Sequence, residues 1–306
     1  MRDHVERYVA FKRHLGFKIN NQAWLLRVYA DHAETHGALF TRNDRMITWA
    51  AEAPSPAGVH YRLGTLRRLA VWLHAEDGRH EVPPRHVPDR KMPRRPTPHL
   101  MTCDQIKWIM DAALLLRPAG SITPLTYHYL IGLLAVTGLR RSEALNLRLA
   151  DITDDGLMIR ETKFRKSRLV PLHASTRNAL DRYLSVRNRF GGLDDHLFVL
   201  ATGRPPGPHA VTRTFIKLAR RIGLRSEVSR TPGPRLHDLR HSLCVRSLEA
   251  AVAPDRDSVN RHMLALTTYV GHAEAAHTYW YLEATPPLLR QIAQAAEHAH
   301  TGRVSR

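Results

Sequence analysis

Between Pro83 and Pro98 the chain carries six prolines together with Arg85, Arg90, Lys91, Arg94 and Arg95. Each proline removes a backbone donor and fixes φ, so neither a regular helix nor a central strand can run through such a stretch. The stretch therefore divides the chain. It reads as a stiff, extended, basic connector over residues 83–99, with one domain at 1–82 and a second at 100–306. A length of 306 residues and a hydrophobic content of 43% are enough to give both domains packed cores.

Residues 1–82 read as a helical bundle. Leu25, Val28, Tyr29 and His32 recur at helical spacing, as do Leu66, Leu69, Ala70 and Leu73, and Gly37 and the Pro54–Gly58 stretch mark breaks. Arg62, Arg67 and Arg68 share the last of these helices with its apolar stripe, on a face that could lie along DNA phosphates or simply be solvated. The second domain opens with Thr102 as a helix cap ahead of Ile106, Ile109, Met110, Ala113 and Leu114. Further helices are expected from Leu125 to Thr137, from Ser175 to Arg189, and through Val211, Phe215, Leu218 and Ile222. Short strands are expected at Gly156–Arg160, Arg168–Leu172 and Leu197–Leu200. The expected fold class is mainly α with one small β-sheet: a helical bundle followed by an α+β domain.

The charge narrows the partner. Lys and Arg number 46 against 28 Asp and Glu, for a formal net charge of +18, which points to a polyanion. The excess is spread along the chain: residues 1–95 hold 17 basic and 10 acidic side chains and the remainder 29 and 18, so both domains should touch DNA. Cys103 and Cys244 have no metal-ligand spacing and read as reduced and structural. There is no run of eighteen apolar residues, and Met1-Arg2-Asp3-His4 lacks the apolar stretch of a signal peptide, so the expected location is the cytoplasm, away from membranes.

The residues with chemical potential concentrate late in the chain. His237 and Arg240, three apart in an apolar-periodic run, would project from one helix face and meet one ligand. Gly271-His272 follows, then Tyr281. A phenol ionises near pH ~10, so as a nucleophile toward phosphate it needs a base and a cationic field, which a guanidinium fork supplies while also holding two phosphate oxygens. Upstream, Gly138 ends an apolar helix and Arg140 falls at the start of the next, near backbone N–H groups that favour an anion. Glu143, one turn on, could fix the guanidinium. The basic turn Glu161–Ser167 sits between two expected strands and could deliver Lys163 or Lys166 to protonate an alkoxide leaving group, or lay Arg165 and Lys166 against DNA backbone.

The order Arg140, Lys163, His237, Arg240, His272, Tyr281 resembles the tyrosine recombinase (phage integrase) family. That family carries an arginine in a T-G-L-R-x-S-E segment, a hairpin lysine, an H-x-x-R box, a G-H pair and a tyrosine nine residues beyond it. The resemblance covers about residues 100 to 290, and Thr278-Tyr279-Trp280-Tyr281-Leu282 followed by Pro286-Pro287 is similar to the integrases and transposases of mobile elements. Val270 replaces the family's leucine before Gly-His; Tyr281, not Tyr279, has the family spacing; and counting back from Arg168-Leu169-Val170-Pro171 puts Lys163 on the family's lysine.

The resemblance implies a site-specific recombinase with a 3′-phosphotyrosine intermediate, needing neither nucleotide nor metal. The N-terminal bundle would be its core-binding domain, and its partners double-stranded DNA, three further copies of the chain on paired sites, and related recombinases. The stripe Leu288, Leu289, Ile292, Ala295, Ala296, Ala299 could pack on its own domain; in the family a C-terminal segment docks on a neighbouring protomer, a role the stripe would equally suit. Two alternatives use the same residues differently: a type IB topoisomerase-like nicking-closing enzyme, without synapsis, and an inactive DNA-binding regulator, which would need only the charge.

Overall fold

The computed structural model of the chain describes residues 1–85, 97–160, 167–190, 194–226, 233–250 and 256–271. It divides into two compact units, Met1–Pro96 and Thr97–Arg306. Among the described residues, no helix is long and apolar enough to cross a membrane.

The first unit is built from α1 (Arg2–His14), α2 (Asn20–Thr35), α3 (Asn43–Ala51) and α4 (Pro56–Glu76). α4 starts where the sequence offers a cap: the Ser55 hydroxyl accepts the Gly58 N–H, and Pro56 supplies a pre-set φ in the first turn. Val5, Leu26, Tyr29, Met46, Leu66, Leu69 and Leu73 form its core. One position departs from the sequence reading: Val28 is exposed, and Ala23, Leu26, Ala30 and Ala33 complete the buried stripe of α2. Alanines let α2 approach its neighbours closely, which pure periodicity does not register.

The second unit contains α5 (Cys103–Ala113), α6 (Ile122–Thr137), α7 (Arg141–Asn146), strands β1 (Ile152–Thr153), β2 (Gly156–Ile159) and β3 (Arg168–Val170), then α8 (Ala174–Arg187), α9 (Pro208–Arg221), α10 (Asp238–Ala250) and α11 (Arg256–Val270). The sheet is antiparallel in the order β1-β2-β3, with Leu157 opposite Val170 and Ile159 opposite Arg168. Thr102 and Gln105 cap α5 reciprocally, each side chain accepting the other's backbone N–H. α6 is apolar on nearly all sides and packs against α5, α8 and α10, the pattern of a central buried helix.

Two expectations fail in this unit. Leu114 lies just past α5 and is exposed, while Ala112 takes the inward position. Leu197–Leu200 is not a strand. Leu197 to Val199 are fully buried, but the Leu197 N–H donates to the Leu147 carbonyl at 2.7 Å and the Val199 carbonyl accepts the Thr126 hydroxyl at 2.6 Å. The first of these bonds belongs to a single isolated antiparallel bridge, Arg148 opposite His196, which does not extend into a ladder, so the run's apolar character reports burial more than strand pairing.

Candidate active site

The site is assembled at the end of α6. Gly138 closes that helix in the left-handed region with φ of 60°, and a Cβ there would stand 2.8 Å from Leu243 Cδ2 on α10. Glycine is thus favoured by its left-handed conformation, and a Cβ there would also have to displace the tip of Leu243. The buried Gly138 carbonyl accepts Arg240 Nη1 at 2.6 Å, and Arg240 is only 2% exposed. The chain then turns through Leu139 into Arg140, the residue flanking α7.

Glu143 organises the next layer. Its carboxylate accepts the Arg140 backbone N–H at 3.0 Å and Arg140 Nη1 at 2.7 Å, so both bonds run from Arg140 to Glu143 and the helix start is held from one side only. The same carboxylate accepts Arg168 Nη2 at 2.8 Å and Nη1 at 3.2 Å. Burial pushes this carboxyl up, but hydrogen bonds and charge from Arg168 and Arg140 outweigh it and hold the group below its ordinary value, so it is ionised at neutral pH. From the far side, Arg140 Nη2 donates to the Gly271 carbonyl at 2.6 Å.

α10 supplies the histidine. It begins at Asp238, one residue later than a helix carrying both His237 and Arg240 would require, and His237 is tied to its first turn through the bond from His241 N–H to the His237 carbonyl. Asp238 accepts the Arg235 backbone N–H and side chain, fixing that entry. Surrounding protein first, and the Arg240 guanidinium second, push the His237 imidazole down to about 4. His237 is itself exposed, which moderates desolvation without reversing its direction, so the ring is neutral at pH 7 and can accept a proton. The His241 ring packs edge-on against it, 4.6 Å between centroids.

The structure therefore brings Arg140, His237 and Arg240 to one corner with Gly271. Lys163, Arg165, Lys166, His272, Tyr279 and Tyr281 lie outside the described residues, as does the C-terminal apolar stripe. The positions next to them are described: β2 ends at Ile159, β3 begins at Arg168, and Gly271 immediately precedes His272.

In the first unit, Arg62 lies over the Trp49 ring at 4.5 Å and donates to the Trp49 carbonyl, Arg67 donates to the Pro83 carbonyl, and Arg68 to Thr65. Lys12, His60, Arg67, Arg68 and Arg85 rim a groove of about 780 Å³ floored by Tyr8, Phe11 and Trp72. Among the described residues, Asp194, Asp195 and His196 form the candidate cation cluster, but it is exposed and internally paired, with Arg148 on Asp195 and His196 on Asp194.

Arg168 is the residue that sequence reasoning missed, having used it only to count register. Its inward placement shows only in the fold: in Arg168-Leu169-Val170 the leucine is exposed while the arginine shares the inward face with buried Val170, reversing the usual alternation.

The phage integrase family profile matches residues 99–286. The integrase/recombinase y4rB of Sinorhizobium fredii (strain NBRC 101917 / NGR234) is 36% identical, over 97% of this chain and 96% of that one. Among solved structures, a lambda integrase (75–356) dimer bound to a COC′ core site superposes with a TM-score of 0.65 at 17% identity, over 94% of this chain and 96% of the other. A lambda integrase tetramer bound to a Holliday junction gives 0.62 at 17% identity, over 91% and 76%.

Proposed function

The chain belongs to the phage integrase family, the tyrosine recombinases, and from that premise we propose how its residues transfer DNA strands. Tyr281 Oη attacks the scissile phosphorus in line, forming a 3′-phosphotyrosine bond as the bond from phosphorus to the 5′ oxygen breaks. His237, neutral at pH 7, accepts the phenol proton. Lys163 protonates the departing 5′ oxygen. Arg140 and Arg240 hold the non-bridging oxygens and offset the charge that develops on them, and His272 orients the phosphate. Attack by another strand's 5′ hydroxyl reverses each transfer, so the energy of the broken bond is kept in the phosphotyrosine and no nucleotide is consumed.

The observation that carries this reading is the corner itself: the Gly138 carbonyl holds Arg240 while Arg140, two residues on, holds the carbonyl of Gly271, next to His272. Residues far apart in sequence are thereby ordered as one phosphate clamp. The relative named as an integrase/recombinase and the positive charge support DNA of a mobile element as substrate. The likeness to a lambda integrase tetramer on a Holliday junction supports assembly into a tetramer on two paired sites. Arg62, Arg67 and Arg68, with Arg165 and Lys166 of the basic stretch Glu161–Ser167, would bind backbone phosphates.

A nicked suicide substrate tests this directly. The wild-type protein should form a denaturant-resistant DNA adduct in EDTA and without nucleotide, and Tyr281→Phe should form none. An adduct mapped to Tyr279, or strict dependence on Mg²⁺, would contradict the assignment. Lys163→Ala should be rescued by a substrate whose bridging 5′ oxygen is sulfur, since thiolate leaves without a proton; rescue of Lys166→Ala instead would move the role to that lysine.

A further inference from the structure

Arg168 stands at the first position of β3 with its side chain 13% exposed, and its donors reach two places at once. Toward α7 it grips both oxygens of Glu143. Toward α11, Nε donates to the Tyr269 carbonyl at 3.1 Å and Nη2 to the Val270 carbonyl at 3.3 Å. These are among the last carbonyls of a helix, which lack intrahelical partners and favour a cation. The next carbonyl, that of Gly271, is held by Arg140. Three successive carbonyls are thus secured by two guanidiniums that share one carboxylate. Gly271 itself sits at φ of 70°, which favours glycine, and a Cβ there would come within 2.6 Å of Arg168 Nη1, so the arginine lies directly against the exit from α11.

We propose that Arg168 is a positioning residue for strand cleavage: it fixes Arg140 through Glu143, and fixes the backbone leading into His272 and Tyr281 through the carbonyls of Tyr269 and Val270. This rests on the reading that Arg140 and Tyr281 carry the reaction. Because β3 follows Lys163 closely in sequence, the same residue fixes the chain just after that lysine to the clamp. Lysine cannot replace it. A single ammonium has no planar fork to span a carboxylate and two carbonyls.

The test uses the full chain, with three readouts on Arg168→Ala and Arg168→Lys: single-turnover cleavage of a suicide substrate at saturating DNA, DNA affinity, and melting temperature. Misplacing the clamp should slow cleavage of Arg168→Ala by ~100-fold while DNA affinity stays near wild type. Arg168→Lys, which keeps the charge and so guards against a folding failure of the alanine variant, should fold and still cleave well below the wild-type rate. Adding Arg168→Ala to Glu143→Gln should cost little beyond the larger single effect, because the two act as one unit. Wild-type cleavage by either Arg168 variant overturns the inference, as do rate losses that simply follow melting temperature and add independently. A wild-type protein that forms no adduct at Tyr281 fails in a different way: it removes the parent reading.

Discussion

In the N-terminal unit, arginines pair with exposed carboxylates, Arg7 with Glu76 and Arg27 with Glu6, and those that reach backbone carbonyls, Arg62 at Trp49 and Arg67 at Pro83, do so singly, without a carboxylate shared between them. In the second unit, Arg140, Arg168 and Arg240 reach for backbone carbonyls at Gly138, Tyr269, Val270 and Gly271, around one buried carboxylate. The same side chain does two jobs because its surroundings differ. Exposed pairs are screened, and each contributes little. A guanidinium bound to main-chain carbonyls at a helix end fixes where the chain goes next. Net charge alone would rank the two units together; the partners separate them.

That contrast breaks first, and most visibly, at Arg240. Arg240→Ala should lower single-turnover cleavage by ~10²–10³-fold, the scale of losing one preorganised donor, with DNA affinity largely kept. An unchanged rate would show that this arginine serves only to hold the Gly138 carbonyl.

Glu143 comes next. Removing it leaves two guanidiniums facing each other without their carboxylate, and Glu143→Ala should destabilise the second unit by ~3–5 kcal/mol, read as a lowered melting temperature. The pH dependence has a definite sign. A carboxyl held below its ordinary value contributes stability above the unfolded value of 4.5 and loses it as pH falls through the lower folded value. Wild type should therefore soften on acidification below 4.5 more steeply than Glu143→Ala; parallel curves would contradict the shared-carboxylate role.

His237 sharpens the comparison in the kinetics. With its imidazole pushed down to about 4, cleavage should persist at pH 6 and fall only as pH approaches 4. An acid limb centred near 6.5 would mean that the ring behaves as an ordinary exposed histidine. The stability sign is the same: the unfolded chain takes up the proton first, so acidification from 6.5 toward 4 weakens the fold.

Smaller effects belong to the N-terminal unit. Arg67→Ala and Arg68→Ala should each reduce the salt dependence of DNA affinity by about one released counterion, without changing cleavage at saturation. Smallest of all, breaking the Arg27–Glu6 pair should change stability by under ~1 kcal/mol, since both partners are over a third exposed.

Much of this was legible in sequence where the cause is local. The Thr102–Gln105 cap, the Gly138 terminus and the Arg140–Glu143 pairing each involve residues within a turn of one another, and periodicity located α2 and α4 of the first unit and α5, α6, α8 and α9 of the second, though not α1, α3 or α11. Leu197–Leu200 misled because an apolar run shows burial but not which backbone groups it pairs with. Arg168 was illegible as a partner because Glu143 and the end of α11 meet it only after folding. In sequence it looks like one more basic residue beside a basic turn. The displacement of His237 from its ordinary ionisation likewise depends on neighbours that tertiary packing supplies.

Rate and affinity, measured side by side, test the division of labour most directly. Single-turnover cleavage and DNA binding would be compared for Arg240→Ala and for the double variant Arg67→Ala/Arg68→Ala. The account predicts that the first loses rate and keeps affinity, while the second loses affinity and, once saturated with DNA, cleaves like wild type. If the double variant is slow at saturation, or Arg240→Ala cleaves normally once bound, the two units do not divide binding and chemistry between them in this way.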